Sequence, residues 1–586
     1  MKRIAMMVTG LVTLMLGIAC APSPAGVDQN RGANPLEGAS NPSAAPQGLK
    51  LVDNDTLAPN VPQKRGGLMT IAISEGPKTL DPFFSSGVVM NHVGRPLYQT
   101  LLQPHQPTPD TDPRQSNQYA PLLAEKWQMP DDKTVVFNIR KGVKFHNGET
   151  LTADDVVFSF EYARDPKNKF AVQSSFRTVD QIQKVDDYTV KITLKQIDPD
   201  ILDRFSSGTY VLSKKFFDAG GDPQKTAVGT GPFRMLKFDP NGEYVSVKNE
   251  NYWDTGKPYL DGFRHIQGLE RSAILAAFTT GKIDYYNVTD KVQFDEFKKQ
   301  QPQAKSWAFY TGRNYGWYPN LNTPALKDIR VRRAMQLTID RQAINESVAF
   351  GLGLFSAPGD AGFLGAAGLS EAELFKMPGW RQPKDQDIAD AKKLMQEAGF
   401  PNGFKIKGVY ISSYTTVPQI AELIANQWKT TLNIQLDLAG MDTTIWSDAV
   451  EKKGDFDLAM GNTRIIYPPD TNLTNYWSST GSFNRAAISN PKMDELIVKQ
   501  KTIVDPKERI KVWAEISKII TDEVYYMPSV DGAYFGILQP WVNGIYPNYS
   551  AQPWLPKPAE VWFDTAKQST DRAKADADML KALQSR

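Results

Sequence analysis

The stretch from Ala124 to Tyr162, AEKWQMPDDKTVVFNIRKGVKFHNGETLTADDVVFSFEY, constrains the fold more than any other part of the chain. Thr134, Val135, Val136, Phe137 and Ile139 supply the β-branched and aromatic residues of a strand, and Arg140-Lys141-Gly142 turns the chain after it. His146-Asn147-Gly148 makes a second turn. Thr152 then stands as the N-cap of a helix, with Asp155 at the capping-box position and Val156, Val157 and Phe160 along one face. Strand, turn, strand, loop and helix follow one another with no residue pattern that suggests catalysis. The stretch reads as scaffold.

The amino terminus reads as an export signal. Lys2 and Arg3 precede an apolar run from Ile4 to Ala19 that is slightly short for a membrane span. Cys20 is the only cysteine of the sequence, which excludes disulfides and cysteine-based metal sites. Residues 21–65, rich in Pro, Ala, Gly, Asn and Ser, read as a disordered tether. With 586 residues, 41% of them hydrophobic, the remainder can bury a large core divided into two or three lobes. The balance of 67 basic and 65 acidic side chains gives no field for nucleic acid or a membrane surface.

Catalytic signatures are missing: there is no G-x-S-x-G, H-E-x-x-H, Walker A loop or dinucleotide fingerprint. The four histidines, His92, His105, His146 and His265, are not at metal-ligand spacing, so neither metal nor cofactor is expected. Residues 91–102 read as a helix, as do residues 329–339, where Arg330, Arg332 and Arg333 are expected as surface cations pairing with local acids. Between Asp385 and Gly461 helices and strands alternate, which implies a mixed α/β lobe with a largely parallel sheet. Ligands of such sheets sit off the carboxyl ends of the strands, so the loop from Asn462 to Asp470 is the best placed for binding. Tyr315, Trp317, Tyr318, Trp446, Tyr476 and Trp477 can stack on a ligand, although about half of such rings are expected in the core.

The opening stretch also resembles a known signature. Ala124-Glu125-x-Trp127, Arg140-Lys141-Gly142-Val143-Lys144-Phe145-His146-x-Gly148 and Leu151-Thr152-Ala153-x-Asp155-Val156 resemble the family 5 extracellular solute-binding proteins, the dipeptide, oligopeptide and nickel receptors of ABC importers. Gly229-Thr230-Gly231-Pro232-Phe233, Asn251-Tyr252-Trp253 and Asp328-Ile329-Arg330-Val331-Arg332-Arg333-Ala334 resemble further blocks of that family. The resemblance implies a periplasmic-binding-protein-like α/β fold. Two mixed-sheet lobes would be joined by crossing strands near residues 313–322 and 520–530, which act as a hinge. Residues 66–100, 229–312 and 522–564 would form the first lobe, 101–228 an accessory lobe, 313–521 the second lobe, and 565–586 a charged terminal helix. Residues 1–19 would be the signal peptide, and Gly17-Ile18-Ala19-Cys20 resembles a lipobox with Gly17 in place of the usual Leu, which implies lipidation of Cys20.

On this resemblance the chain is not an enzyme. It is expected outside the cytoplasmic membrane, lipid-anchored and monomeric, handing a captured solute to permease subunits. The implied ligand residues are Phe84 and Ser85 after the Leu80-Asp81-Pro82 turn, then Tyr315, Trp317, Asn320, Trp446, Arg464, Asp470, Tyr476 and Trp477. In peptide-binding members an Asp in the loop matching Asp470 pairs with the ligand's ammonium. Here the usual Gly-Asp before it is replaced, with Arg464 upstream, and Asp470 is expected to face water in an open cleft. A peptide is the leading ligand and an oligosaccharide its competitor, with nickel chelates disfavoured by so few histidines. An extracellular hydrolase and a signalling receptor are the readings from other classes.

Overall fold

The signature stretch folds as a hairpin and a capped helix, for local reasons. Strands Ala124–Asp131 and Thr134–Ile139 pair antiparallel, and Lys133 N–H donates to Asp131 Oδ1 at 2.8 Å to close the turn. Val135, Phe137 and Ile139 are buried, with half-buried Val136 and Asn138 between them, the period of two expected of a strand. Strands Thr189–Leu194 and Val179–Asp186 complete a four-stranded antiparallel sheet. Helix Ala153–Arg164 starts where the capping box places it: the Asp155 carboxylate accepts from Thr152 N–H at 2.9 Å and also from Lys214 N–H at 2.9 Å.

The computed structural model describes residues 65–73, 76–84, 94–104, 119–288, 291–310, 313–355, 371–414, 416–464, 470–545 and 557–585. The signal segment, Cys20 and the tether lie outside these residues. Among the described residues no helix is long and apolar enough to cross a membrane.

The glycines of Gly229-Thr230-Gly231-Pro232 serve a close approach between two backbones. A Cβ on Gly229 would lie 2.1 Å from Leu97 O, and one on Gly231 would lie 2.3 Å from Pro96 O. His146 of the signature turn locks onto the same segment, accepting from Gly229 N–H at Nδ1 (3.3 Å), with Nε2 3.1 Å from Gly231 O. These two blocks are therefore one structural joint.

Beyond this joint a seven-stranded mixed sheet runs in the order 305–310, 533–538, 285–288, 68–73, 262–267, 243–248, 233–238. Its first strand, Leu68–Ile73, pairs parallel with both neighbours. A second, five-stranded sheet takes Gln435–Met441, Lys405–Ile411, Leu458–Arg464, Arg313–Pro319 and Met527–Pro528 in that order. The chain passes from the first sheet to the second between Tyr310 and Arg313, and back between Pro528 and Ala533. At the return, Ser529 N–H donates to Tyr315 O at 2.8 Å, and Leu354 bridges to Asp531. Helix Thr570–Gln584 closes the chain back onto the first sheet through Leu580, which packs with Leu68, Val245 and Val247. This is the periplasmic-binding-protein-like architecture.

Four sequence expectations are corrected. The five-stranded sheet is half parallel: Lys405–Ile411 runs parallel to both its neighbours, but Arg313–Pro319 is antiparallel to both of its own. The helix expected over residues 91–102 is helical in its described part only over 94–97, and Leu102 already begins a strand. The helix after Asp328 ends at Leu337, and Asp340 caps a new one, Arg341–Val348. Arg332 is not a surface cation. It is 4% exposed and donates to the carbonyls of Leu326 (2.8 Å) and Glu523 (2.8 Å), tying two helix ends together.

Candidate ligand-binding site

Strands Lys405–Ile411, Gln435–Met441 and Leu458–Arg464 run parallel, so their carboxyl ends open on the same side. There the second sheet carries an open cavity, with Tyr315, Tyr414, Trp446, Glu451, Asn462 and Arg485 among its lining residues. Asp442 places the first wall by capping helix Thr443–Ser447, accepting from Thr444 N–H at 2.8 Å. That helix presents Trp446, 3% exposed, which packs with Val409, Val450, Phe456 and Ala459. The following wide turn over Asp448–Lys453 brings Glu451 beneath it, where its carboxylate accepts from Ser447 Oγ at 2.5 Å. Tyr315, 6% exposed, and Tyr414 form the opposite side, with ring centroids 6.1 Å apart.

Arg485 is the centre of the site. Its guanidinium lies 5.0–5.2 Å from the rings of Trp446, Tyr476 and Tyr318. It donates to Glu451 Oε1 at 2.6 Å and to Asn462 O at 3.0 Å. Burial alone would favour its neutral form, but Tyr318, Tyr476 and Glu451 hold its pKa above the ordinary value, so the charge is fixed. A Cβ on Gly461 would sit 3.1 Å from Arg485 Nη1 and 3.2 Å from the Trp446 ring, so any larger residue at this strand position must push the cluster by a few tenths of an ångström.

Two donors of this cluster, Trp446 Nε1 and Arg485 Nε, are buried and make no hydrogen bond. An unmet buried donor costs about 1–3 kcal/mol. The wall therefore combines aromatic surface with a charge pair that sums to zero, and the two unmet N–H groups lie behind it, closed off from solvent. Such chemistry suits an uncharged, flat or apolar group.

The structure gathers some of the residues expected from sequence and scatters the others. Tyr315 and Trp446 line the cavity, and Tyr476 reaches it through Arg485. Trp317 is fully buried against Trp428, and Trp477 packs between Tyr318 and Tyr526. Asn320 is buried and donates to Phe456 O at 2.9 Å, at the far end of its strand from Tyr315. Asp470 does not face water. It is 7% exposed and accepts from Gln500 Nε2 at 2.8 Å, because the end of helix Pro491–Lys499 brings that amide over it. Phe84 is exposed, edge-on to Phe170 at 5.1 Å. Arg464 ends its strand opposite Arg313, and its side chain, like Ser85, lies outside the described residues.

Sequence reasoning did not single out Arg485, Glu451 or Tyr414. The carboxyl-end argument itself points to Tyr414, just past Ile411. Arg485 offers only a weak signal, a lone cation before Ala486-Ala487-Ile488. A second, smaller cavity lies between Gln99, Tyr210, Trp253 and Glu560. Its polar groups are largely spent on one another: Gln99 bonds both Tyr252 and Trp253 at 2.9 Å, and Lys257 pairs with Glu560 at 3.0 Å. Among the described residues no group of three or more His, Cys, Asp or Glu side chains is placed to hold a metal ion.

Comparison with known proteins places the chain. The family described as bacterial extracellular solute-binding proteins, family 5 (middle), matches residues 118–485. The periplasmic oligopeptide-binding protein OppA of Salmonella typhimurium is 26% identical over 530 residues, covering 86% of this chain and 92% of that protein. Heme-binding protein A of Haemophilus influenzae is 27% identical over 473 residues, covering 73% of this chain and 82% of that one. Among solved structures, the ABC transporter substrate-binding protein CtaP of Listeria monocytogenes shares the fold with a TM-score of 0.72 at 23% identity, over 85% of this chain and 100% of that chain. The chain belongs to the family 5 bacterial extracellular solute-binding proteins, non-catalytic extracytoplasmic receptors that serve ABC importers.

Proposed function

We propose that the solute is a peptide, captured between the two large sheets, with an uncharged side chain or main-chain carbonyl entering the Tyr315–Trp446–Arg485 cavity. The observation that carries this reading is the cavity at the carboxyl ends of parallel strands, walled by Tyr315, Tyr414 and Trp446 and by Arg485 already neutralised by Glu451. The likeness to an oligopeptide-binding protein over most of both chains supports the choice of a peptide. The rings of Tyr315, Tyr414 and Trp446 favour one second reading, an oligosaccharide stacked on aromatic walls. Closure of the lobes on the ligand would be driven by contacts made only in the closed state.

Thermal shift with peptide pools against neutral oligosaccharides separates the two readings. Ligand at about a hundred times its dissociation constant adds ~2.7 kcal/mol of stability, which is easily read. Trp446→Ala is expected to abolish the shift given by the cognate pool, and an undiminished shift would move the site elsewhere. Cys20 is the proposed lipid-anchor residue: Cys20→Ser should release the protein from the membrane fraction, and retention there would refute the anchor.

A further inference from the structure

A buried ion pair joins the four-stranded lobe to the body of the five-stranded one. Asp200 follows strand Thr189–Leu194 and precedes the short helix Ile201–Arg204. Arg509 lies in the first turns of helix Pro506–Asp522, whose Val512, Trp513, Ile516 and Ile520 pack with Tyr318, Trp477 and Tyr526. The two side chains are 6% and 4% exposed and meet in a bidentate pair, Nη1 with Oδ1 and Nη2 with Oδ2, the latter at 2.8 Å.

Each partner is also held from behind by its own lobe. On the Asp200 side, Asp198 accepts from Asp200 N–H at 3.1 Å and from Arg204 Nε at 2.7 Å, which fixes the loop. On the Arg509 side, Gln500 Oε1 accepts from Arg509 Nε at 3.0 Å, from its Nη2 at 2.8 Å and from Trp513 Nε1 at 3.2 Å. The other end of that amide donates to Asp470, so Gln500 cannot flip without losing this donation and these acceptances.

We propose that Asp200 and Arg509 form a latch that holds the four-stranded lobe against the five-stranded one, with Gln500 and Asp470 as positioning residues that keep Arg509 in its paired rotamer. Such a pair is a two-state element. Apart, both groups regain water; together, they are dry and matched in geometry, so the contact fixes the register of closure more than it drives it. Asp470 acts here through Gln500, as part of the latch and not as a ligand anchor. This inference is independent of which solute is bound.

The test uses the unliganded full chain, with Cys20→Ser and with Lys195→Cys and Lys511→Cys labelled for single-molecule energy transfer across the contact. Asp200→Ala is expected to raise the share of molecules with the longer separation on the order of tenfold. Asp470→Asn should shift the same distribution in the same direction but less. A distribution unchanged by Asp200→Ala, or a lower melting temperature with unchanged separation below it, would make the contact a static part of one rigid body and overturn the latch. Asp200→Asn, which keeps size and part of the hydrogen bonding, decides the matter if the alanine variant fails to fold: it too must populate the longer separation, and if it does not, the latch is refuted.

Discussion

His265 shows how a single buried group sets an acid limit. It is 3% exposed in strand Gly262–Gln267, and burial lowers its pKa from 6.5 to about 4. The folded state therefore prefers the neutral ring. The stability this provides is complete above the unfolded pKa of about 6.5 and is lost as pH falls towards about 4, reaching on the order of 3 kcal/mol. His146 carries the same shift to about 4, so His265→Phe should roughly halve the histidine share of the acid slope in melting temperature between those pH values, and an unchanged slope would place the sensitivity elsewhere. At this scale the sequence was least legible. Arg485 is surrounded by rings from Tyr318, Trp446 and Tyr476, residues far apart in sequence, and nothing beside it announces that cage. Asp470 was misplaced for the same reason: its environment is made by Gln500, thirty residues on.

Elements were read well wherever their causes are local. The capping box at Thr152 and Asp155 needs only four consecutive residues, and the helix starts where they put it. Asp155→Ala should cost about 1–2 kcal/mol, measured as a lower urea midpoint, because it removes the cap and also strands Lys214 N–H. Asp155→Asn should recover part of that loss. Reading fails where an element's fate depends on a distant partner. The run after Asp328 has helical periodicity throughout, yet Thr338 and Asp340 break it into two helices. Arg332 looked like a surface charge until the carbonyl of Glu523, from the far end of another helix, came to meet it. The alternation of helix and strand identified the five-stranded sheet but could not show that Arg313–Pro319 enters it antiparallel from the other body.

For the whole molecule, the terminal helix is the clasp. Arg572 donates to Asp284 Oδ2 at 3.0 Å, to Thr70 Oγ1 at 3.1 Å and to Gly281 O, joining the chain's end to its first strand. Asp284 is fully buried, so Arg572→Ala leaves a carboxylate without its cation and should cost about 3–5 kcal/mol in denaturant unfolding. Arg572→Met combined with Asp284→Asn should recover much of it, and equal losses in both variants would assign the effect to packing alone. The clasp and the sheet order also bear on how such a chain is made. Strand Leu68–Ile73 finds its neighbours only at residues 262–267 and 285–288, the next strand comes from 533–538, and the seal is set at Arg572. A polypeptide emerging amino terminus first thus carries an unpaired first strand for about half of its length. The four-stranded sheet of residues 124–194 can close early, whereas the seven-stranded sheet waits for residues 533–538, so the order of emergence sets the order in which the lobes form.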